Sequence, residues 1–192
     1  MKTRIAINGF GRIGRNAFKI AFARTDCEVV ALNDLTDTKT LAYLLKHDSN
    51  YGTYDKEVSY DEKGIIVDGK HIAVLAEKDP AALPWGEHKI DVVIESTGRF
   101  TDKDSAGLHI KAGAKRVVIS GPTKSDGVDT IVLGANDDKL EGATEVISNA
   151  SCTTNSLGAV MAILESEFGV EKSLLTTVHS YTQSQVLQDA PA

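Results

Sequence analysis

The sequence predicts an α/β fold with a mostly parallel sheet, and three observations carry that expectation. A strand-like run, Arg4 to Asn8, enters a glycine turn, Gly9 to Gly14, and a helix-like run, Arg15 to Arg24, leaves it. A second strand, Glu28 to Leu32, then ends at Asn33-Asp34. Beyond it, short Val/Ile runs of the kind buried on both faces alternate with helical segments. A strand, turn, helix and strand in that order imply a parallel pair joined by a right-handed crossover.

Taken in order, further strands are expected at Ile65 to Asp68, His71 to Leu75, Asp91 to Glu95, Arg116 to Ser120, Thr130 to Leu133 and Glu145 to Ser148. Helices are expected at Thr38 to Lys46 and Asp102 to Ala112, and Gly64 and Gly69 punctuate a hairpin. From Ser151 to Phe168, the residues Leu157, Val160, Met161, Leu164 and Phe168 recur on one helical stripe. Such a stripe needs a cover, and left exposed it predicts association or poor solubility. One more strand, Ser173 to Tyr181, follows before the chain reaches Ala192.

Composition sets bounds on function. With 192 residues and 42% hydrophobic content, the chain can build a substantial core. A formal net charge of -6 without a basic block argues against a nucleic-acid or anionic-membrane partner. Met1-Lys2-Thr3 leads straight into the first strand with no apolar signal core, and no run approaches the roughly 20 apolar residues that span a bilayer. The cytoplasm is therefore the expected compartment. Cys27 and Cys152, in a large acidic chain, are expected as free thiols. No Cys/His spacing resembles a zinc site, and no metal is expected.

Asn8-Gly9-Phe10-Gly11-Arg12-Ile13-Gly14 has the spacing of a dinucleotide-binding loop. Gly9 permits a tight turn, Gly11 removes a side chain where a pyrophosphate approaches, and Gly14 lets helix and strand pack closely. The helix start adds N–H groups and partial positive charge. Asp34 follows about 20 residues past the last glycine, as the fingerprint requires. Its carboxylate can accept from a ribose hydroxyl and would repel a 2′-phosphate, which favours NAD over NADP.

Cys152 stands in Ser148-Asn149-Ala150-Ser151-Cys152-Thr153-Thr154-Asn155, a setting too polar for a core residue. The thiolate is the reactive form of cysteine, and two features can stabilise it. One is the first turn of the Ser151 to Phe168 helix; the other is pairing with His179. Backbone N–H groups there suit an oxyanion, and Thr153 and Thr154 add hydroxyl donors. His179 shares one strand face with Thr177 and Tyr181. Cys27 reads as structural, and His47, His71, His88 and His109 read as surface residues.

Assembled, these residues resemble the phosphorylating glyceraldehyde-3-phosphate dehydrogenase family, from Ile5 to the last residue. The most specific elements are Ile5 to Arg15, Asn33-Asp34-Leu35, Glu95-Ser96-Thr97-Gly98-Arg99-Phe100, Ser120-Gly121-Pro122, Ser148 to Asn155 and His179-Ser180-Tyr181-Thr182. The resemblance implies a Rossmann-type NAD-binding domain over residues 1–150 and the beginning of an α+β catalytic domain, apparently incomplete, over 151–192. It implies cofactor contacts at Gly9, Gly11, Arg12, Ile13, Gly14, Asp34, Lys78, Thr97 and Ser120. Cys152 is similar to the family's nucleophile and His179 to the residue that activates it, while Ser151, Thr153 and Thr182 resemble hydroxyls that hold substrate or inorganic phosphate. The implied reaction is NAD-dependent oxidation and phosphorylation of glyceraldehyde 3-phosphate to 1,3-bisphosphoglycerate, in glycolysis, by a homotetramer.

Some positions depart from the family pattern. Lys78 stands where arginine is common, Ser156 where many members have a second cysteine, and Gln183-Ser184-Gln185 where Asn-Asp-Gln is usual. Ala190, where NAD-specific members often carry Leu, weakens the NAD preference without reversing it. Two other readings stay open: a non-catalytic NAD-binding fragment, and an erythrose-4-phosphate dehydrogenase with the same cysteine motif.

Overall fold

The computed structural model describes residues 1–180, and its centre is a nine-stranded sheet. The strands in chain order are β1 (Thr3–Asn8), β2 (Cys27–Asn33), β3 (His47–Asp48), β4 (Gly52–Thr53), β5 (Val58–Tyr60) and β6 (Gly64–Val67). They continue with β7 (Lys70–Leu75), β8 (Val92–Glu95), β9 (Arg116–Ile119), β10 (Asp129–Thr130) and β11 (Val146–Ser148). Across the sheet the order is β10-β11-β9-β8-β1-β2-β7-β6-β5, with every pair from β10 to β7 parallel and the last two pairs antiparallel. The helices are α1 (Arg12–Ala23), α2 (Thr38–Lys46), α3 (Lys103–Ala106), α4 (Leu108–Lys111) and α5 (Cys152–Phe168). Strands β3 and β4 form a small separate hairpin.

Alternation along the central strands divides the core between the two faces. Ile7 and Leu32 pack with Phe18, Leu41, Leu45 and Ile65 on one side, against α1 and α2. Their neighbours Ala6 and Ala31 face the other way, with Trp85, Val93, Ala106 and Val117. Helices on both faces of a parallel sheet bury each strand twice, which is why these strands read as continuous apolar runs. The expected hairpin is present as β6–β7, and Asp68 and Gly69 take φ values of 48° and 77° in its turn. Two successive positive values match the twist of the strands they join.

Three elements differ from expectation. The strand foreseen at Thr130 to Leu133 stops at Thr130, because the Asn136 side chain accepts the Val132 N–H at 2.7 Å and turns the chain away. The helix foreseen at Asp102 to Ala112 is two short helices meeting at Gly107, whose N–H bonds the Lys103 carbonyl. Most of the strand foreseen at Ser173 to Tyr181 is unpaired: residues 173–180 join no ladder with any described segment, and a strand without a partner gains no such bonds. The apolar stripe of α5 lies largely open, and none of that helix's residues is buried. Among the described residues no helix is long and apolar enough to cross a membrane.

Candidate active site

The carboxyl edge of the sheet gathers the residues expected to hold a cofactor. There β1 runs into Gly9, β2 into Asp34 and β9 into Ser120, while β7 and β8 end shortly before Lys78 and Thr97. The chain builds outward from β1 through β2 and β7, then returns to β8 on the other side of β1. A reversal of this kind opens a crevice beyond the strand ends, where open α/β sheets bind ligands.

The glycine loop is shaped by close approach. Gly9 has φ +88°, and a Cβ there would lie 2.7 Å from the Thr97 nitrogen. A Cβ on Gly14 would meet the Gly9 carbonyl oxygen at 2.1 Å, whereas one on Gly11 would meet nothing within 4 Å. Gly11 is also the N-cap of α1 and supplies no side-chain acceptor, so the N–H groups of that first turn have none from the cap. Arg12 and Ile13 are exposed beside it.

Asp34 clamps this loop as well as facing the crevice. Its Oδ2 accepts the Phe10 N–H at 2.7 Å and its Oδ1 the Thr36 N–H at 2.9 Å. The Phe10 carbonyl accepts from Arg15 Nη1 at 3.0 Å, and burial holds that guanidinium below its ordinary pKa despite nearby Asp48 and Asp34. Thr97 donates both its N–H and its hydroxyl to Glu95 Oε1, and the Ser120 N–H donates to the Glu95 carbonyl. Lys78 is exposed, with its N–H on Glu77 Oε1 at 2.8 Å.

Cys152 is the first residue of α5, on the same edge beyond β11. Ser151 caps the helix, its hydroxyl accepting the Thr154 N–H at 3.0 Å and sharing a 2.8 Å bond with the Thr154 hydroxyl. Thr153 is half-buried next to the thiol. The turn into the helix passes through Ala150 at φ +61° and is braced by Asn155, whose Nδ2 donates to the Asn149 carbonyl at 2.6 Å and the Ser151 carbonyl at 3.0 Å.

His179 meets the thiol: Sγ and Nε2 lie 3.0 Å apart, and Nδ1 lies 2.6 Å from the Ser180 carbonyl. That carbonyl can only accept, so Nδ1 carries a proton and Nε2 faces the sulfur. The bond to His179 pulls the Cys152 pKa down, helped by the Thr153 N–H. The Ser180 carbonyl, then the thiolate, pushes the His179 pKa up. Both shifts move the pair toward thiolate and imidazolium. Thr182, expected to hold phosphate, lies outside the described residues.

Residues 3–103 match the family model for the glyceraldehyde 3-phosphate dehydrogenase NAD-binding domain, and residues 151–192 match the model for its C-terminal domain. The chain belongs to the glyceraldehyde-3-phosphate dehydrogenase family. It is 53% identical over 192 residues to glyceraldehyde-3-phosphate dehydrogenase of Geobacillus stearothermophilus, covering 100% of this chain and 57% of the relative. Identity to the Thermotoga maritima dehydrogenase is 52% over 190 residues, covering 98% and 57%. For glyceraldehyde-3-phosphate dehydrogenase 1 of Bacillus subtilis it is 50% over 192 residues, covering 100% and 57%. The chain thus spans 57% of the length of these relatives.

The cofactor of this dehydrogenase domain is NAD, and the loop fits it. The open space over Gly11 and the side-chain-free cap of α1 suit a pyrophosphate, and the half-buried Asp34 carboxylate keeps lone pairs for a ribose hydroxyl. Sequence reasoning missed the polar floor beneath this dehydrogenase crevice. Asn8, Asn33 and Glu95 each close a buried strand and are themselves buried. A polar residue ending an apolar run was the one legible signal. His109, expected at the surface, is fully buried because it bonds Trp85 and Glu95, partners distant in sequence. His47 and His71 are exposed and His88 half-buried, while Cys27 is buried with its thiol on the Ala21 carbonyl.

Proposed function

We propose that the protein catalyses NAD-dependent oxidative phosphorylation of glyceraldehyde 3-phosphate to 1,3-bisphosphoglycerate, the glycolytic reaction. The observation that carries this reading is the 3.0 Å approach of Cys152 Sγ to His179 Nε2, at the mouth of a helix on the same sheet edge as the NAD loop. In this reading residues 1–150 are the cofactor domain and 151–192 open the catalytic domain. Arg12, Ile13, Asp34, Lys78, Thr97 and Ser120, with the three loop glycines, hold NAD, which when bound supplies the hydride acceptor.

The thiolate of Cys152 attacks the aldehyde carbon, forming a C–S bond and a thiohemiacetal. The oxygen takes a proton from the imidazolium and returns it to His179 Nε2 as the carbon is oxidised, leaving a thioester on Sγ. Inorganic phosphate then attacks the thioester carbon, and the sulfur departs as thiolate, which regenerates Cys152. Ser151, Thr153 and Thr182 supply hydroxyls to the substrate phosphate or the attacking phosphate. The resemblance supports a cytoplasmic homotetramer.

The test is NADH formation from glyceraldehyde 3-phosphate, NAD and phosphate by the protein and by Cys152→Ala, with erythrose 4-phosphate as a competing substrate. Activity lost only in the variant is expected. Equal inactivity of both proteins, alongside intact NAD binding, would instead support a non-catalytic NAD-binding chain, and preference for erythrose 4-phosphate would replace the substrate.

A further inference from the structure

We propose that Glu95, with Asn8 and Asn33, forms a hydrogen-bonded brace under the crevice that sets the positions of Thr97 and Lys78 for NAD. The inference rests on NAD binding at the glycine loop. Asn8, Asn33 and Glu95 are the last residues of β1, β2 and β8, three neighbouring strands, and are 1%, 5% and 1% exposed. Their side chains connect across the strand ends. Asn33 Nδ2 donates to Asn8 Oδ1 at 2.7 Å, and Asn8 Nδ2 donates in turn to Glu95 Oε2.

Each end of the brace holds a residue assigned to the cofactor. At one end Glu95 Oε1 accepts the Thr97 N–H and hydroxyl. Thr97 packs so closely under Gly9 that no side chain fits between them, and the Ser96 hydroxyl donates to the Gly9 carbonyl at 2.7 Å. At the other end Asn33 makes a paired bond with the Glu77 backbone, donating to its carbonyl and accepting its N–H, each at 2.8 Å. Glu77 then takes the Lys78 N–H. A continuous path therefore runs beneath the crevice from Lys78 to Thr97.

The charge state follows from the donors. Trp85 Nε1 can only donate, so His109 Nδ1, 2.9 Å away, accepts. The proton of the neutral ring then sits on Nε2 and points to Glu95 Oε2 at 2.9 Å. Among the described residues no Lys or Arg pairs with Glu95. Its carboxylate is held by four neutral donors: the Thr97 N–H and hydroxyl, Asn8 Nδ2 and His109 Nε2. A buried ion of this kind gains the fold little over apolar packing, so its worth lies in the geometry it imposes. Glutamine keeps the shape of Glu95 but sets an NH2 group against an N–H donor whichever way it is turned.

Calorimetric titration with NAD and amide hydrogen exchange at Thr97 and Glu77 test the brace, in the wild type, Glu95→Gln, Asn33→Ala and Leu45→Ala. Leu45 is buried in the opposite core cluster, so its truncation lowers stability away from the crevice. The expected result is NAD affinity weakened roughly tenfold or more in Glu95→Gln, less in Asn33→Ala, and within about twofold of wild type in Leu45→Ala. Exchange at Thr97 accelerates in the first variant and at Glu77 in the second. If Glu95→Gln does not fold, Asn33→Ala alone decides. Unchanged affinity and exchange in the folded brace variants, or equal losses in Leu45→Ala, would overturn the brace. A wild type that binds no NAD would overturn the NAD assignment itself.

Discussion

Cys152 Sγ lies 3.0 Å from His179 Nε2, and the other ring nitrogen of that histidine is anchored on the Ser180 carbonyl. The thiol is pulled below its ordinary pKa and the imidazole pushed above its own. The sign follows directly. The lowered thiol keeps its charge to lower pH than a free cysteine, and the raised imidazole keeps its charge to higher pH. Both shifts raise the share of thiolate paired with imidazolium. Both groups are exposed, so the consequence is read in reactivity rather than stability. Alkylation of Cys152 by iodoacetamide is expected to rise with pH through a midpoint below that of an ordinary thiol. His179→Ala moves the midpoint upward, and coincident profiles would dissolve the pairing.

Asp34 accepts the Phe10 and Thr36 N–H groups, and in the proposed function it also accepts from the cofactor ribose. Removing it should therefore not simply convert the protein to NADP. Asp34→Ala leaves the partly buried Phe10 N–H without its acceptor, at a cost of about 1–2 kcal/mol. Urea unfolding should register that loss while NAD affinity falls in parallel. A variant of unchanged stability that binds NADP tightly would confine Asp34 to cofactor choice.

Ala150 is held at φ +61°, in the turn between β11 and the cap of α5, and is 5% exposed. An alanine there carries strain that glycine would not. Ala150→Gly is expected to leave stability unchanged or raise it by up to about 1 kcal/mol. Ala150→Val, a branched side chain in the same buried left-handed turn, should cost about 2 kcal/mol or more. Denaturation gives both values, and equal effects of the two substitutions would remove the strain argument.

The central fold was legible because each parallel strand carries its own apolar run and the glycine loop binds strand to helix within a few residues. The helix start at Cys152 was legible for the same reason: Ser151, Cys152 and Thr154 form one local capped turn. The brace under the crevice was not, since Asn8, Asn33 and Glu95 meet only when three strands align, and His109 gains its burial from Trp85 and Glu95 across the fold. The early end of β10 was hidden because a single side-chain bond decides it, beneath any periodic pattern, and the break at Gly107 interrupts no apolar period.

The stripe on α5 was also legible, but its surroundings were not. Val160, Leu164 and Phe168 of that stripe are 51%, 39% and 81% exposed, Ile163 outside it is 61% exposed, and Leu174, Leu175 and Val178 add apolar surface just beyond the helix. On the small-residue side of α5, Gly158 rests on Val132 and Ala159 on Gly134. Contiguous apolar surface on a helix of this kind favours association in water. Sedimentation velocity of the chain is expected to show a distribution that shifts to larger species as concentration rises. Replacing Ile163 and Phe168 together with glutamate should reverse the shift without altering NAD affinity, because both stand well along α5 from Cys152, which opens the helix at the crevice edge. A monodisperse monomer at all concentrations would mean that this face has no tendency to pair.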